Sequence, residues 1–189
     1  MAIRIKSRWH QSERNTSRNK TYADHASALT FIVWRLSLEG ARSLHGEGFD
    51  YLSDRERIAV ITEFLGFLVQ CVDRLAHQRL PDQDREVLVN ALGYGLGVQM
   101  QDNLTDIAGP GHYYDAFVDA LNTRLDEYSR TSFEASGPGF DALRVFGAGV
   151  LAIMGETQTN RWVIDQIMHI AGPEVYEKTR DALANLLDS

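Results

Sequence analysis

The stretch from Ser53 to Leu80 has the sequence SDRERIAVITEFLGFLVQCVDRLAHQRL. It begins with Ser53-x-x-Glu56, the pattern of a capping box, in which both side chains bond backbone N–H groups at the start of a helix. After this box, apolar residues recur at the steps of three and four that are typical of a helix: Ile58, Ile61, Leu65, Leu68, Val72 and Leu75. Other apolar residues between them widen the stripe. The pattern predicts a mostly buried helix around which the rest of the chain is organised.

The polar positions of this helix also fall at steps of three and four. They therefore form one narrow row along an otherwise apolar rod, and they are Glu63, Gly66, Gln70, Asp73 and His77. The sequence leaves open whether this row faces water or a second helix. The functional interpretation depends on the answer.

Helical periodicity extends from Tyr22 to Leu187 and is interrupted by glycine and proline. We predict an all-α bundle of six to seven helices in a single domain, 22–189, preceded by a short irregular basic arm, 1–21. A chain of 189 residues is long enough to bury one sizeable core. Besides the central helix, helices are expected at 22–46, 81–108, 113–132, 141–170 and 174–187.

The helical pattern is interrupted at several places. Three junctions, at 108–111, 136–139 and 171–174, combine a glycine that can end one helix with a proline that can start the next. The polar stretch 155–160 is either a break between two helices or a polar turn inside one long helix.

The segment GYGLG, 93–97, lies inside the predicted third helix, where each glycine costs about 0.5–1 kcal/mol relative to alanine. A nucleotide-binding loop would follow a strand and continue into Lys-Ser or Lys-Thr, and this segment does neither. Close packing against a second small-residue segment, GAG at 147–149, is therefore the better explanation.

Charge is unevenly divided along the chain, whose net charge is −7. Six lysines and arginines against one glutamate give residues 1–20 a charge of +5, so the other residues carry −12. A basic arm could contact nucleic acid. The acidic body would repel phosphate, however, and such charge runs are commonly solvated tails.

Two observations bear on where the protein works. The longest apolar windows are far shorter than the ~20 residues of a membrane helix, which predicts a protein without membrane spans. The single cysteine, Cys71, excludes an intramolecular disulfide and lies among apolar residues, which is typical of a core position. We expect a cytoplasmic protein.

One set of residues could form a metal or haem site. The segments 72–77, VDRLAH, and 164–169, IDQIMH, share the pattern apolar-Asp-x-apolar-x-His at an offset of 92 residues. Aspartate and histidine four residues apart lie on one helix face, so two such helices packed together could bind a transition metal or haem, with two glutamates adding oxygen ligands. The alternative is a pair of surface ion pairs near helix ends. The hypothetical metal set is Asp73, His77, Asp165, His169, Glu63 and Glu156.

The sequence contains no Gly-x-Ser-x-Gly segment and no paired-cysteine zinc motif, so neither motif identifies a catalytic site. Whether the protein is an enzyme stays open. The first hypothesis is a non-enzymatic binding or scaffold protein that acts as a homodimer or on a protein partner, because helix faces this apolar commonly associate. The alternative is a metal- or haem-binding bundle with redox or hydrolytic activity. A third hypothesis is a regulator that contacts nucleic acid through the basic arm, and the acidic body disfavours it.

Overall fold

The computed structural model describes residues 21–188. Its helices are α1 Tyr22–Gly46, α2 Asp54–His77, α3 Asp82–Ala108, α4 Tyr113–Tyr128, α5 Phe140–Met154, α6 Val163–Gln166 and α7 Gly172–Leu187. Between α4 and α5, the two-residue strands β1 Phe133–Glu134 and β2 Gly137–Pro138 pair antiparallel. A 3₁₀ turn, Asn160–Trp162, precedes α6, and a π turn, Ile167–Ala171, joins α6 to α7. The all-α prediction is confirmed, and residues 1–20 of the predicted basic arm lie outside the described residues.

Helix α2 lies at the centre of the bundle, as predicted. It packs against α1, α3, α4, α5 and α7, and every residue from Glu63 to Val72 is buried. Burial also raises the pKa of the Cys71 thiol far above its usual value, so this cysteine is a core residue. Among the described residues, no helix is both long and apolar enough to cross a membrane.

Aromatic rings join α2 to its neighbours. Phe67 stacks on Phe146 of α5 with ring centroids 4.5 Å apart, and Phe64 meets the same ring edge-on at 4.8 Å. Such pairs contribute about 0.5–1.5 kcal/mol each beyond the burial of their area. The same Phe64 ring also meets α1, where a Cβ at Gly40 would overlap it. The glycine therefore lets α1 approach α2 closely.

Side chains cap the starts of several helices, and the local sequence predicts only some of these caps. Ser53 Oγ accepts a hydrogen bond from the Glu56 N–H at 3.2 Å, but Glu56 accepts from the Leu52 N–H at 2.8 Å, so the predicted capping box is half formed. Helix α4 is capped from another helix. The Oε1 atom of Gln101 in α3 accepts hydrogen bonds from the first two N–H groups of α4, at 2.8 and 3.0 Å.

The glycines of α3 and α5 do not serve as each other's packing partners, so that prediction is wrong. A Cβ at Gly95 would overlap Thr30 of α1, and one at Gly97 would overlap a tyrosine ring of α4. On α5, a Cβ at Gly147 would lie 3.1 Å from the backbone oxygen of Ile164. Each glycine permits close approach by a different neighbour, which helical periodicity does not identify.

Two of the three glycine–proline junctions interrupt the helical path. Gly109 has φ of +87° and ends α3, and Gly137 has φ of +128° in the hairpin that separates α4 from α5. The third prediction is wrong, because Gly172 has a helical φ of −62° and the chain passes through the π turn into α7 without a break. Pro173 lacks the N–H that a regular helix uses, and the helix widens into a π turn just before it.

The polar stretch 155–160 does break the helix. Gly155 has φ of +73° directly after α5, and Asn160 is fully buried. The Nδ2 atom of Asn160 donates to the carbonyls of Asp50 and Met154, both at 3.0 Å, and its Oδ1 atom accepts from the Asp50 N–H at 3.0 Å. One side chain therefore fixes the α1–α2 loop to the end of α5.

We expect Asn160→Ala to lower the free energy of unfolding by about 2–4 kcal/mol, because one backbone N–H and two carbonyls lose their partner and the fully buried side chain leaves a cavity. Urea denaturation measures the change. Asn90→Ala, at an exposed position of α3, is the matched control and should stay within about 0.5 kcal/mol of the wild type. Equal effects of the two substitutions would contradict the role of Asn160.

Candidate functional site

The polar row of α2 is buried at its start and exposed at its end. Glu63 and Gln70 are only 8 and 7 % exposed, Asp73 is half-buried, and His77 is exposed at the last position of the helix. The start of the row faces α4, where Glu63 meets Arg124. The row therefore faces a second helix at one end and water at the other.

Arg124 of α4 connects three helices. Its Nη2 atom lies 2.7 Å from Glu63 Oε2 in α2 and donates a hydrogen bond to the Val145 carbonyl of α5 at 3.1 Å. Its Nη1 atom pairs with Glu127 one turn along α4. Because the Glu63 and Arg124 side chains are 11 and 14 % exposed, this ion pair is largely shielded from solvent.

Two glycines make room for this ion pair. A Cβ at Gly149 of α5 would overlap the Glu63 carboxylate and lie 2.6 Å from Arg124 Nη2, and a Cβ at Gly66 of α2 would lie 3.3 Å from Arg124 Cβ. The pair therefore fits only where α2, α4 and α5 all approach closely.

Burial is the largest single influence on the pKa values of Glu63, Arg124 and Tyr128 in this cluster. Burial raises the pKa of Glu63 to about 7, although Arg124 opposes the shift. Burial lowers the pKa of Arg124, but Glu63, Tyr128 and Glu127 together outweigh it and leave that pKa above its usual value. The Arg124 guanidinium also lies 5.4 Å from the centroid of the Tyr128 ring, and burial raises the pKa of the tyrosine.

Three polar atoms of the cluster are buried without a hydrogen-bond partner among the described residues: Glu63 Oε2, Arg124 Nε and Tyr128 Oη. The contact between Glu63 and Arg124 is therefore an ion pair without hydrogen-bond geometry. A buried pair of this kind costs desolvation that its attraction does not fully offset. It can hold a proton near neutral pH, and it joins α2, α4 and α5.

The six residues of the hypothetical metal set are distributed over separate places. Asp73 Oδ1 lies 3.6 Å from Arg85 Nη1, and His77 Nδ1 lies 3.7 Å from Asp82 Oδ1, both across the α2–α3 contact. Glu63 is the partner of Arg124 in the buried cluster.

The remaining members lie elsewhere on the surface. Asp165 is exposed on α6, His169 is exposed in the π turn, and Glu156 is exposed in the break after α5. Within residues 21–188, no group of three or more His, Cys, Asp and Glu side chains is arranged to hold a metal ion. The two Asp/His segments also differ in structure, one being a regular helix end and the other a π turn. The metal site thus stays a prediction to which the fold adds no support.

Large exposed apolar side chains occur on α5 and on the chain that follows it. Phe140 is 68 % exposed, Trp162 58 % and Ile170 53 %. Helix α5 packs against both α6 and the π turn, so these side chains lie on neighbouring elements. Sequence reasoning missed this surface, because helical periodicity does not show which apolar side chains a neighbouring helix leaves uncovered.

The exposed positions of α5 recur at steps of four. They are Phe140, Arg144, Ala148 and Ala152, and we call this row the α5 face. A second apolar row lies on α3, where Val87, Tyr94 and Val98 are 47, 64 and 37 % exposed. The α3 helix also exposes four acidic residues, Asp82, Glu86, Asp102 and Asp106, whereas the α5 face has a single charge.

We expect the stability of the wild type to fall relative to Glu63→Gln as the pH rises from about 4.5 to 8. The folded chain keeps the Glu63 proton up to about pH 7, whereas the unfolded chain releases it near the ordinary value of 4.5. The stabilising contribution of this proton is therefore complete below pH 4.5 and is lost as the pH rises through 7. Glutamine stays neutral and removes this dependence.

Urea denaturation of both proteins across this pH range measures the effect, with Glu134→Gln at an exposed position as the control. A wild type that gains stability relative to Glu63→Gln as the pH rises would contradict the prediction. It would show that Arg124 favours the carboxylate more than burial opposes it.

We expect the double variant His77→Ala/His169→Ala to keep the metal content of the wild type and to change the free energy of unfolding by less than about 1 kcal/mol, because His169 is exposed and the ion pair of His77 with Asp82 is exposed and contributes little. Elemental analysis and an absorption spectrum of natively purified protein, together with urea denaturation, measure both. His112→Ala, at another exposed histidine, is the control. Loss of a near-stoichiometric ion from the double variant alone would instead establish the Asp/His pairs as a metal site.

Comparisons with protein-family models, with curated proteins and with solved structures find no match to this chain. Two features of the molecule itself bear on its function. One is the buried cluster of Glu63, Arg124 and Tyr128, and the other is the exposed apolar surface around the α5 face.

Proposed function

We propose that the protein is a non-enzymatic helical binding or scaffold protein that acts as a homodimer and associates through the α5 face. The observation that supports this most is the exposure of Phe140, Trp162 and Ile170 on α5 and on the chain packed against it. Apolar side chains grouped on neighbouring elements are typical of association surfaces. Covering a large apolar side chain contributes roughly 1.5–3 kcal/mol, so the large apolar side chains of two copies together help to offset the cost of association.

The α5 face is a better association surface than the apolar row of α3. Two copies of α3 packed together would bring the exposed acids Glu86, Asp102 and Asp106 near one another. Like charges that meet at an interface cost free energy. The α5 face has Arg144 as its single charge and avoids this repulsion.

The buried cluster favours a structural role over catalysis. A general acid or base must come within hydrogen-bond reach of its substrate, whereas Glu63 is 8 % exposed and Tyr128 is 0 % exposed beneath the packed helices. Arg124 uses its donors on Val145 and Glu127 inside the same cluster. These contacts hold α2, α4 and α5 together and thereby support the α5 face.

The two alternative functions have less support. A metal- or haem-binding bundle would require Asp73, His77, Asp165 and His169 to converge, and they lie on separately paired or exposed positions. A nucleic-acid regulator would depend on residues 1–20, outside the described part of the chain. We further propose a cytoplasmic location, because a lone buried cysteine suits a reducing compartment.

We expect Phe140→Ser to raise the dissociation constant of the dimer more than about tenfold, because each copy loses a large apolar contact. Sedimentation velocity over a concentration series measures the dissociation constant. Tyr94→Ser on α3 is the matched control, since Tyr94 is 64 % exposed and Phe140 68 %.

Two results would contradict the proposal. A wild type that stays monomeric at every concentration would exclude the homodimer. Dissociation by Tyr94→Ser and not by Phe140→Ser would move the interface to α3.

A further inference from the structure

Side-chain size is unevenly distributed along the α5 face. Residues at steps of four form one inclined row on a helix, and on α5 this row begins with the large side chains of Phe140 and Arg144 and continues with Ala148 and Ala152. The side chains in the second half of the row are therefore small, and a neighbouring helix could approach the backbone of α5 closely there. The two alanines therefore let the same row of a second copy, running in the opposite direction, approach closely with Ala148 opposite Ala152.

Opposite charges lie at the two ends of this row. Arg144 is exposed in its N-terminal half, and Glu156 is exposed just beyond the C-terminal end of α5. Neither side chain forms an ion pair or a side-chain hydrogen bond with any residue in 21–188. By contrast, the nearby Arg124 and Arg161 are both engaged, the first with Glu63 and the second over the Trp162 ring.

We propose that the α5 face packs antiparallel against the α5 face of a second copy, with Arg144 of each copy beside Glu156 of the partner subunit. The inference rests on the proposed homodimer and specifies its interface. In a two-fold contact, residue i of one copy meets residue j of the other and the reverse. One pairing of unlike charges therefore occurs twice.

The spacing along the helix fits this arrangement. At a rise of 1.5 Å per residue, Arg144 lies about 9 Å before the level midway between Ala148 and Ala152, and the end of α5 at Met154 lies about 6 Å after that level. If the two helices cross at this level, each Arg144 side chain lies just beyond the last turn of the partner's α5, beside the second residue after the helix end. The partial negative charge at that helix end attracts the guanidinium as well.

The alternatives for this face are less complementary. A parallel pair of α5 helices would bring the two Arg144 side chains together and leave both Glu156 carboxylates without a cation. A generic apolar partner would cover Phe140 but would leave Arg144 at the interface without an acidic partner, which costs free energy. A second copy supplies the acidic group at the required end of the helix.

The test is charge reversal followed by mixing. Arg144→Glu places two glutamates opposite each other, and Glu156→Arg places two arginines opposite each other, so each variant alone should dimerise more than about tenfold more weakly than the wild type. In an equimolar mixture of the two variants, both contacts of the heterodimer join unlike charges, and wild-type affinity should return. The chain with both substitutions should also recover wild-type affinity.

Sedimentation velocity measures the affinities, and native mass spectrometry identifies the heterodimer by its mass. Arg42→Glu, an exposed position on α1, is the matched control and should dimerise like the wild type. Far-UV circular dichroism verifies that every variant folds. Both substituted positions are exposed, and the doubly substituted chain tests the pairing even if one single variant folds poorly.

The outcomes separate this inference from the proposed function. If the wild type and both single variants dimerise equally well and Phe140→Ser still dissociates them, the antiparallel pairing is wrong and the homodimer stands. If each single variant is weakened and neither the mixture nor the double variant recovers, the pairing of Arg144 with Glu156 is likewise excluded. A monomeric wild type would overturn both.

Discussion

The burial of α2 on every side is the constraint on which the rest of the structure depends. All residues from Glu63 to Val72 are buried, nearly three helical turns, so other helices must surround α2 completely. Five helices do so. Each of the large side chains that α2 buries, such as Phe64 and Phe67, stabilises the folded state by roughly 1.5–3 kcal/mol. The surrounding helices direct one face towards α2 and leave another face to the solvent.

Complete burial of α2 also brings its polar row into the core. Glu63 loses water and gains Arg124, which in turn reaches the backbone of α5 through the Val145 carbonyl. Buried ion pairs contribute little net stability, but this one fits only where Gly66 and Gly149 leave room for it. The cluster is therefore best understood as a constraint on how α2, α4 and α5 pack. It places α5 at the edge of the bundle with its outer row exposed.

Helix α5 has more apolar surface than the bundle buries. Phe146 and Val150 fill the core on its inner side, but the sequence of α5 is apolar around most of its circumference. Its outer row therefore meets the solvent with Phe140 and two alanines. Helix α3 also exposes apolar side chains, but its acidic neighbours disfavour contact with an identical acidic surface. The difference in charge between these two outer faces is the physical reason for assigning association to α5.

The sequence by itself determined the helical class, the central position of α2 and most helix bounds, because periodicity, caps and glycine stops are local properties of the chain. It misjudged Gly172, where a π turn carries the helix on to Pro173. Only the tertiary structure decided that Arg124 is the partner of Glu63 and that Asn160 bonds Asp50 across 110 residues. A spacing of four places Asp73 and His77 on one helix face, but the neighbouring helix that meets this face depends on packing. Such partners come from distant parts of the chain and have no local signature, so the packing of the helices determines them.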